Sequence, residues 1–132
     1  MTESRKRVCF VPAHNEAANI GHTIEALRSQ TRRPDCVIVV ADNCTDNTVD
    51  IASGYDVEVF ATVDNAHKKA GGLNQALIEN LDLLEPRDVV LVMDADTNLD
   101  PHFLRNAMQF VVLGYAAVGG TFTGEDGGGL VG

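Results

Sequence analysis

Asp94 and Asp96 are the residues of this 132-residue chain best placed to do chemistry. They stand one residue apart at the end of Val89-Val90-Leu91-Val92-Met93, a run of apolar, β-favouring side chains. Ligands of an open α/β sheet bind beyond the carboxyl ends of its strands. A strand that ends there on Asp-Ala-Asp offers two hard oxygen ligands to a divalent cation and a phosphate. The same residues also read as a plain Asp-rich turn, with Asp96 or Thr97 capping the next helix. What the other segments bring to the same edge decides between the two.

The elements that would carry them alternate along the chain. Arg7 to Val11 is an apolar run closed by Pro12, whose missing N–H predicts the end of a central strand. Asn15 to Ser29 carries Ala17, Ile20, Ile24 and Leu27 at helical spacing. Cys36 to Ala41 is apolar throughout, as in a parallel strand buried on both faces. Thr45 to Ser53 predicts a short helix and Val57 to Thr62 a third strand. Ala70 to Leu84 predicts a long helix, with Leu73, Ala76, Leu77, Leu81 and Leu84 on one face. Val89 to Met93 is the fourth strand. Asp100-Pro101 opens a helix to Val112, Asp as N-cap and Pro at N1, and Tyr115 to Gly119 reads as a fifth strand. This order predicts the α/β class: a Rossmann-like, mostly parallel sheet with helices on both faces. It forms a single domain over 1–132, with a charged tail at 1–6 and a Gly-rich, mobile segment at 120–132.

A parallel sheet gathers four strand ends on one edge. They are Pro12-Ala13-His14-Asn15-Glu16, Asp42 to Asn47, Asn65 to Asn74, and Asp94-Ala95-Asp96. That edge would hold carboxylates, amides, Lys68-Lys69, and the pair Gly71-Gly72 opening a helix. The inventory suits a nucleoside diphosphate: polar side chains for base and ribose, lysine and a cation for the phosphates. Each piece has a bland counterpart. Asn15 could be an N-cap with Glu16 against the helix dipole, Asp42 an Asx-turn, and the lysines solvated charges. Glycine in a helix lowers its stability, and close backbone approach to a ligand is one reason to have it there. A loop-to-helix junction is another. The histidines lack metal-ligand spacing, although His14 and His67 share the edge.

A net charge of -9 argues against nucleic acid or an anionic membrane surface as partner. With three cysteines and no Cys-x-x-Cys pair, neither a zinc site nor a disulfide framework is expected. The charged N-terminus is no secretory signal, and no apolar segment approaches bilayer length. The expectation is a soluble, cytoplasmic protein.

Together the motifs resemble the family 2 glycosyltransferases, inverting enzymes of the GT-A fold that use nucleotide-activated sugars. Val11-Pro12-Ala13-His14-Asn15-Glu16 is similar to V-P-A-x-N-E, and Ala41-Asp42-Asn43-Cys44-Thr45-Asp46 to D-D-x-S-x-D. Lys69-Ala70-Gly71-Gly72-Leu73-Asn74 is similar to K-x-G-A-L-N, and Met93-Asp94-Ala95-Asp96-Thr97 with Asp100-Pro101 to the D-A-D-T…D-P signature. The resemblance implies metal-dependent transfer from a nucleoside-diphosphate sugar, UDP-sugar by default, to an unknown acceptor. It puts Pro12, Ala13 and Glu16 against the nucleoside together with Asn15, and Asp42 on the base or ribose. Lys69 would approach the diphosphate or donor sugar, with Gly72 beside it. Asp94 would contact ribose or sugar with Ala95, and Asp96 would be the chief ligand of Mn2+ or Mg2+, assisted by Asp94. Breaking the sugar–phosphate bond develops charge on the leaving diphosphate, which a bridging cation stabilises.

The match departs from the family in places. Ala41 replaces the first Asp of the D-D pair, and Cys44 replaces Ser. The family's general base, often in a Glu-Asp pair, and its later Q/R-x-x-R-W motif have no counterpart. Glu125-Asp126 follows the fifth strand too soon and sits among glycines. The expectation is a truncated GT-A domain carrying the donor half, whose open sheet edge favours a homo-oligomer. A catalytically incomplete nucleotide-sugar and metal-binding module is the alternative. A nucleotidyltransferase is disfavoured, because Pro12 to Glu16 has neither glycine nor basic charge.

Overall fold

Four parallel strands carry the site. In the computed structural model, which describes residues 6–66, 68–85, 88–96, 99–112, 119–120 and 130–131, they are β1 (Arg7–Ala13), β2 (Cys36–Ala41), β3 (Glu58–Ala61) and β4 (Val89–Val92). Their order is β3-β2-β1-β4, and every pairing is parallel. From β1 the sheet grows first to one side, through β2 and β3, and then to the other with β4. That reversal makes a topological switch point, where strand ends diverge and leave a crevice. Helices α1 (Ile20–Arg28), α2 (Thr48–Ser53) and α3 (Lys68–Asn80) make the crossovers, α3 running on into a 3-10 turn at Leu81–Leu83. Helix α4 (Phe103–Val112) follows β4.

The core follows from the two-residue period of the strands. Val8 and Phe10 of β1, Ile38 and Val40 of β2, and Ala76 of α3 form one buried cluster, with Phe60, Leu73, Leu77 and Leu84 packed against it. The intervening Cys9, Val11 and Val39 face the other way and are also fully buried. A parallel sheet covered by helices on both faces produces this pattern. Burial pushes the Cys9 thiol up to about 12. Burial and a hydrogen bond to Glu58 push Cys36 up to about 11. Both thiols are therefore packing groups rather than nucleophiles at neutral pH.

The strand does not end where proline was expected to end it. β1 runs through Pro12 to Ala13, with Pro12 in register with Val40. The carbonyls of Lys6 and Phe10 accept bonds from the β4 side, and those of Arg7 and Ala13 from the β2 side. By alternation Pro12 therefore faces β4. The β4 ladder stops at Phe10↔Val92, so the missing N–H falls beyond it and costs no ladder bond.

The helices open later than periodicity suggested at three places. α1 begins at Ile20 after a turn in which the Glu16 carbonyl accepts from the N–H groups of Asn19 and Ile20. α2 begins at Thr48, and α4 at Phe103. Asp100 therefore stands ahead of the cap position, in an Asx-type turn: its Oδ1 accepts from the His102 N–H at 2.7 Å.

The chain divides into two compact units, Met1–Ile24 with Pro34–Thr97, and Glu25–Arg33 with Asn98–Gly132. The first holds the four-stranded sheet. In the second, the buried Gln30 amide donates to the Asp100 carbonyl at 2.8 Å and accepts from Leu104 N–H at 3.0 Å, which fixes the start of α4. This unit also holds a short antiparallel pair, β5 (Gly119–Gly120) with β6 (Leu130–Val131). The rest of the expected fifth strand, Glu125-Asp126, most of the Gly-rich segment and tail residues 1–5 lie outside the described residues. Among the described residues, no helix is long and apolar enough to cross a membrane.

Candidate functional site

The crevice at the switch point is a cleft of about 660 Å3, within the range of about 300–1,000 Å3 usual for small-molecule sites. Each strand end contributes wall. After β1 come Pro12, Ala13, His14 and Glu16, and after β2 Asp42 and Asn43. Asn65, Ala66 and Lys68 follow β3, and Asp94, Ala95 and Asp96 follow β4.

Asp42 is a carboxylate held in a nearly closed position, 7% exposed. Its Oδ1 accepts from Asn65 Nδ2 at 2.8 Å, Thr62 Oγ1 at 3.0 Å and Asn43 Nδ2 at 3.2 Å. A buried charge needs such partners. None of these three donors goes to Oδ2. The Asp42 carbonyl receives His14 Nδ1 at 2.7 Å. A carbonyl can only accept, so Nδ1 carries a proton in this contact.

The β1–α1 and β2–α2 loops are laced together. Asn15 Oδ1 accepts from the N–H groups of Thr45 (2.7 Å) and Asp46 (3.3 Å). The fully buried Thr48 hydroxyl accepts from the Glu16 N–H at 2.8 Å and donates to Asp46. Asp46 also accepts from the N–H groups of Thr48 and Ala17. The Thr48 hydroxyl, followed by these N–H groups, holds the Asp46 carboxyl below the usual carboxylate range.

Backbone strain collects at the same edge. Among the described residues, the non-glycines with positive φ are Asn15 (52°), Asn43 (52°), Asp64 (49°) and Lys68 (55°), all in or just after the loops that leave β1, β2 and β3. Asn and Asp enter this region readily; for Lys68 the cost is of the order of 1–3 kcal/mol. The Asn65 amide meets the Lys68 carbonyl at 2.7 Å and helps hold it there.

The Asp94-Ala95-Asp96 turn begins where sheet bonding stops. The last bond on β4 runs from Met93 N–H to the Phe10 carbonyl at 3.1 Å. Ala95 is buried at 1% exposure, and its carbonyl accepts from the hydroxyl of buried Thr23 on α1. Asp94 is half-buried and Asp96 exposed. The turn offers two carboxylates to the cleft. That fits Mg2+ or Mn2+, which keep waters and take substrate phosphates beside one or two carboxylates. Among the described lining residues, Glu16, Asp42, Asp94 and Asp96 are carboxylates and Lys68 a cation. A diphosphate entering this field needs a cation to offset the repulsion.

The structure thus brings Pro12, Ala13, Glu16, Asp42, Asp94, Ala95 and Asp96 onto one wall. It leaves Asn15 off that wall, spent on the neighbouring loop. Gly72 is not on it either: it is buried against the sheet, and a Cβ there would stand 3.1 Å from Thr62 Cγ2 and 3.5 Å from Val40 Cγ1. The same Cβ would stand 3.6 Å from Asn65 Nδ2, so this glycine lets α3 approach the sheet and its turn closely. The Lys69 backbone lies in α3, and its side chain lies outside the described residues. His14, Asn43, Asn65, Ala66 and Lys68 also line the cleft; they belong to the segments expected on this edge but carried no individual ligand contact. The amide-rich turn after β3 was the available signal for Asn65; nothing in the sequence separates Lys68 from Lys69.

Comparison with known proteins places these features in context. The model of the family described as "Glycosyl transferase family 2" matches residues 8–131. The 4,4'-diaponeurosporenoate glycosyltransferase of Staphylococcus aureus is 35% identical over 72 residues, 54% of this chain and 19% of that protein. Glucosyl-3-phosphoglycerate synthase of Mycobacterium tuberculosis, solved with Mn2+, UDP and glucosyl-3-phosphoglycerate, is similar at a TM-score of 0.67 and 22% identity, over 84% of this chain and 41% of that one. TarS of S. aureus is similar at a TM-score of 0.68 and 25% identity, over 82% of this chain and 20% of that one. The chain spans less than half the length of each.

Proposed function

The chain belongs to glycosyl transferase family 2 and has a Rossmann-like GT-A fold, and from that premise we propose that its cleft binds a UDP-sugar with a divalent cation for inverting transfer to an acceptor. The observation that carries this reading is the convergence of Asp42, from the end of β2, with Asp94 and Asp96, from the end of β4, on one cleft. Mn2+ and UDP in the synthase structure, and UDP-glucose with glycerol 3-phosphate in another of its structures, support the ligand class.

Pro12 and Ala13 offer an apolar wall to the nucleoside. Asp42, through Oδ2, accepts a hydrogen bond from base or ribose. Lys68, which lines the cleft, meets the phosphates with positive charge, and Lys69, next in sequence, adds its charge to that of Lys68. Asp94 contacts ribose or sugar, and Asp96, with Asp94, would hold the cation. When bound, that cation supplies electrostatic stabilisation of the leaving diphosphate. Ala95, between the two carboxylates, gives the turn its buried anchor.

Calorimetry with UDP, GDP and UDP-glucose, with and without Mn2+, tests the reading. Binding of UDP strengthened by Mn2+, with the strengthening lost in Asp96→Ala, is expected. No nucleotide binding in the presence of metal would sink the proposal. Tight binding without hydrolysis or transfer would instead identify a nucleotide-sugar-binding module.

A further inference from the structure

We propose that Thr23 is a positioning residue for the Asp94-Ala95-Asp96 turn, acting through the Ala95 carbonyl to set where the two carboxylates stand. The proposal rests on the cation-binding reading above. Thr23 lies on α1, 72 residues away in sequence from Ala95, and is 3% exposed. A helical threonine commonly turns its hydroxyl back to a carbonyl one turn earlier in its own helix. Here the hydroxyl of Thr23 reaches across to Ala95, while its N–H bonds the Asn19 carbonyl in the ordinary helical way.

The choice of acceptor gives the contact its consequence. The Ala95 carbonyl belongs to the peptide unit that leads into Asp96, so holding it fixes the plane from which the Asp96 side chain departs. The turn has left the β4 ladder at Met93, and Ala95 is too buried for water to replace a lost partner freely. Mg2+ demands ligand distances near 2.0–2.1 Å and near-octahedral geometry, so a small displacement of one carboxylate is costly.

Thr23→Val keeps the shape and removes the hydroxyl, and Thr23→Ser restores it. UDP affinity is measured by calorimetry in Mn2+ and in EDTA, Mn2+ binding alone by the EPR signal of the free ion, and folding by thermal melting. In Thr23→Val the Mn2+-dependent gain in UDP affinity is expected to fall about tenfold or more, as when groups that orient metal ligands are removed. UDP affinity in EDTA stays within about twofold on the same argument. Thr23→Ser keeps the gain. A Thr23→Val protein with the full wild-type gain overturns the role. So does equal loss in Mn2+ and EDTA in step with lost melting temperature, which marks a merely structural contact. Where Thr23→Val does not fold, Thr23→Ala is read against the same outcomes. A wild-type chain with no Mn2+-dependent gain overturns the cation-binding reading itself, and this role falls with it. A wild-type gain that Thr23→Val leaves intact overturns the positioning role alone.

Discussion

Asn65 Nδ2 stands 2.8 Å from Asp42 Oδ1 and 2.7 Å from the Lys68 carbonyl, so one amide ties the end of β2 to the first turn of α3. Asn43 closes the arrangement, its Nδ2 reaching Asp42 Oδ1 at 3.2 Å and the Asn65 carbonyl at 3.1 Å. On the proposed donor-binding role of Asp42, Asn65→Leu should weaken UDP binding. Removing a donor from a buried carboxylate costs about 1–3 kcal/mol, a loss of up to about a hundredfold at the upper end. Thr62→Val, which removes a parallel donor to the same oxygen, should act in the same direction. Calorimetry on both variants checks this. Unchanged affinity in both would mean that Asp42 needs neither donor to serve the ligand.

Thr48 joins two loops through a single hydroxyl, accepting from Glu16 and donating to Asp46. The side chain is fully buried, so water cannot easily replace what a substitution removes. Thr48→Val should therefore lower unfolding free energy by about 1–3 kcal/mol, read from urea denaturation. A loss well under that range would mean the loops are held mainly by the Asn15 side chain, which bonds the backbone of Thr45 and Asp46.

These loop contacts mark where sequence reading stops. The alternation of strands and helices was legible because apolar period is local, and the convergence of strand ends follows from the geometry of any parallel sheet. Pro12, Ala13, Glu16, Asp42, Asp94, Ala95 and Asp96 reached the cleft for that reason. Asn15 did not, because its acceptor oxygen found N–H groups some 30 residues on in sequence, a pairing no spacing encodes. Pro12 lies inside β1 because the strand is not equally paired along its length: the β4 ladder ends two residues before it, which sequence alone does not encode. Lys68 lines the cleft through a left-handed backbone that a lysine rarely adopts, so tertiary contacts rather than propensity decided it.

Gly72 gives the clearest separation between packing and binding. Alanine gains about 1 kcal/mol of helix propensity over glycine, but its Cβ would crowd Thr62 Cγ2 at 3.1 Å. The two effects oppose, and Gly72→Ala should stay within about 1 kcal/mol of the wild type. Gly72→Val adds bulk toward Val40 as well and should cost about 1–3 kcal/mol, measured by thermal or urea unfolding. UDP affinity of Gly72→Ala should match the wild type. A marked loss of affinity without loss of stability would return this glycine to the ligand.

Asp46 should give the loop pair a pH dependence whose sign is set by its hydrogen bonds. The Thr48 hydroxyl, with the N–H groups of Thr48 and Ala17, holds its carboxyl below the ordinary value, which is about 3.9 in an unfolded chain. A group whose folded value is depressed favours the folded state fully above the unfolded value. That contribution is lost as pH falls through the folded value. Asp46→Asn keeps an acceptor oxygen and removes the titration. The variant should be the less stable protein near neutral pH, and the difference from wild type should shrink as pH drops below about 4. Urea midpoints of the two proteins along a pH series test this directly, because other carboxylates titrate equally in both. A difference that stays constant with pH would show that Asp46 holds the loop by shape, with its charge contributing nothing.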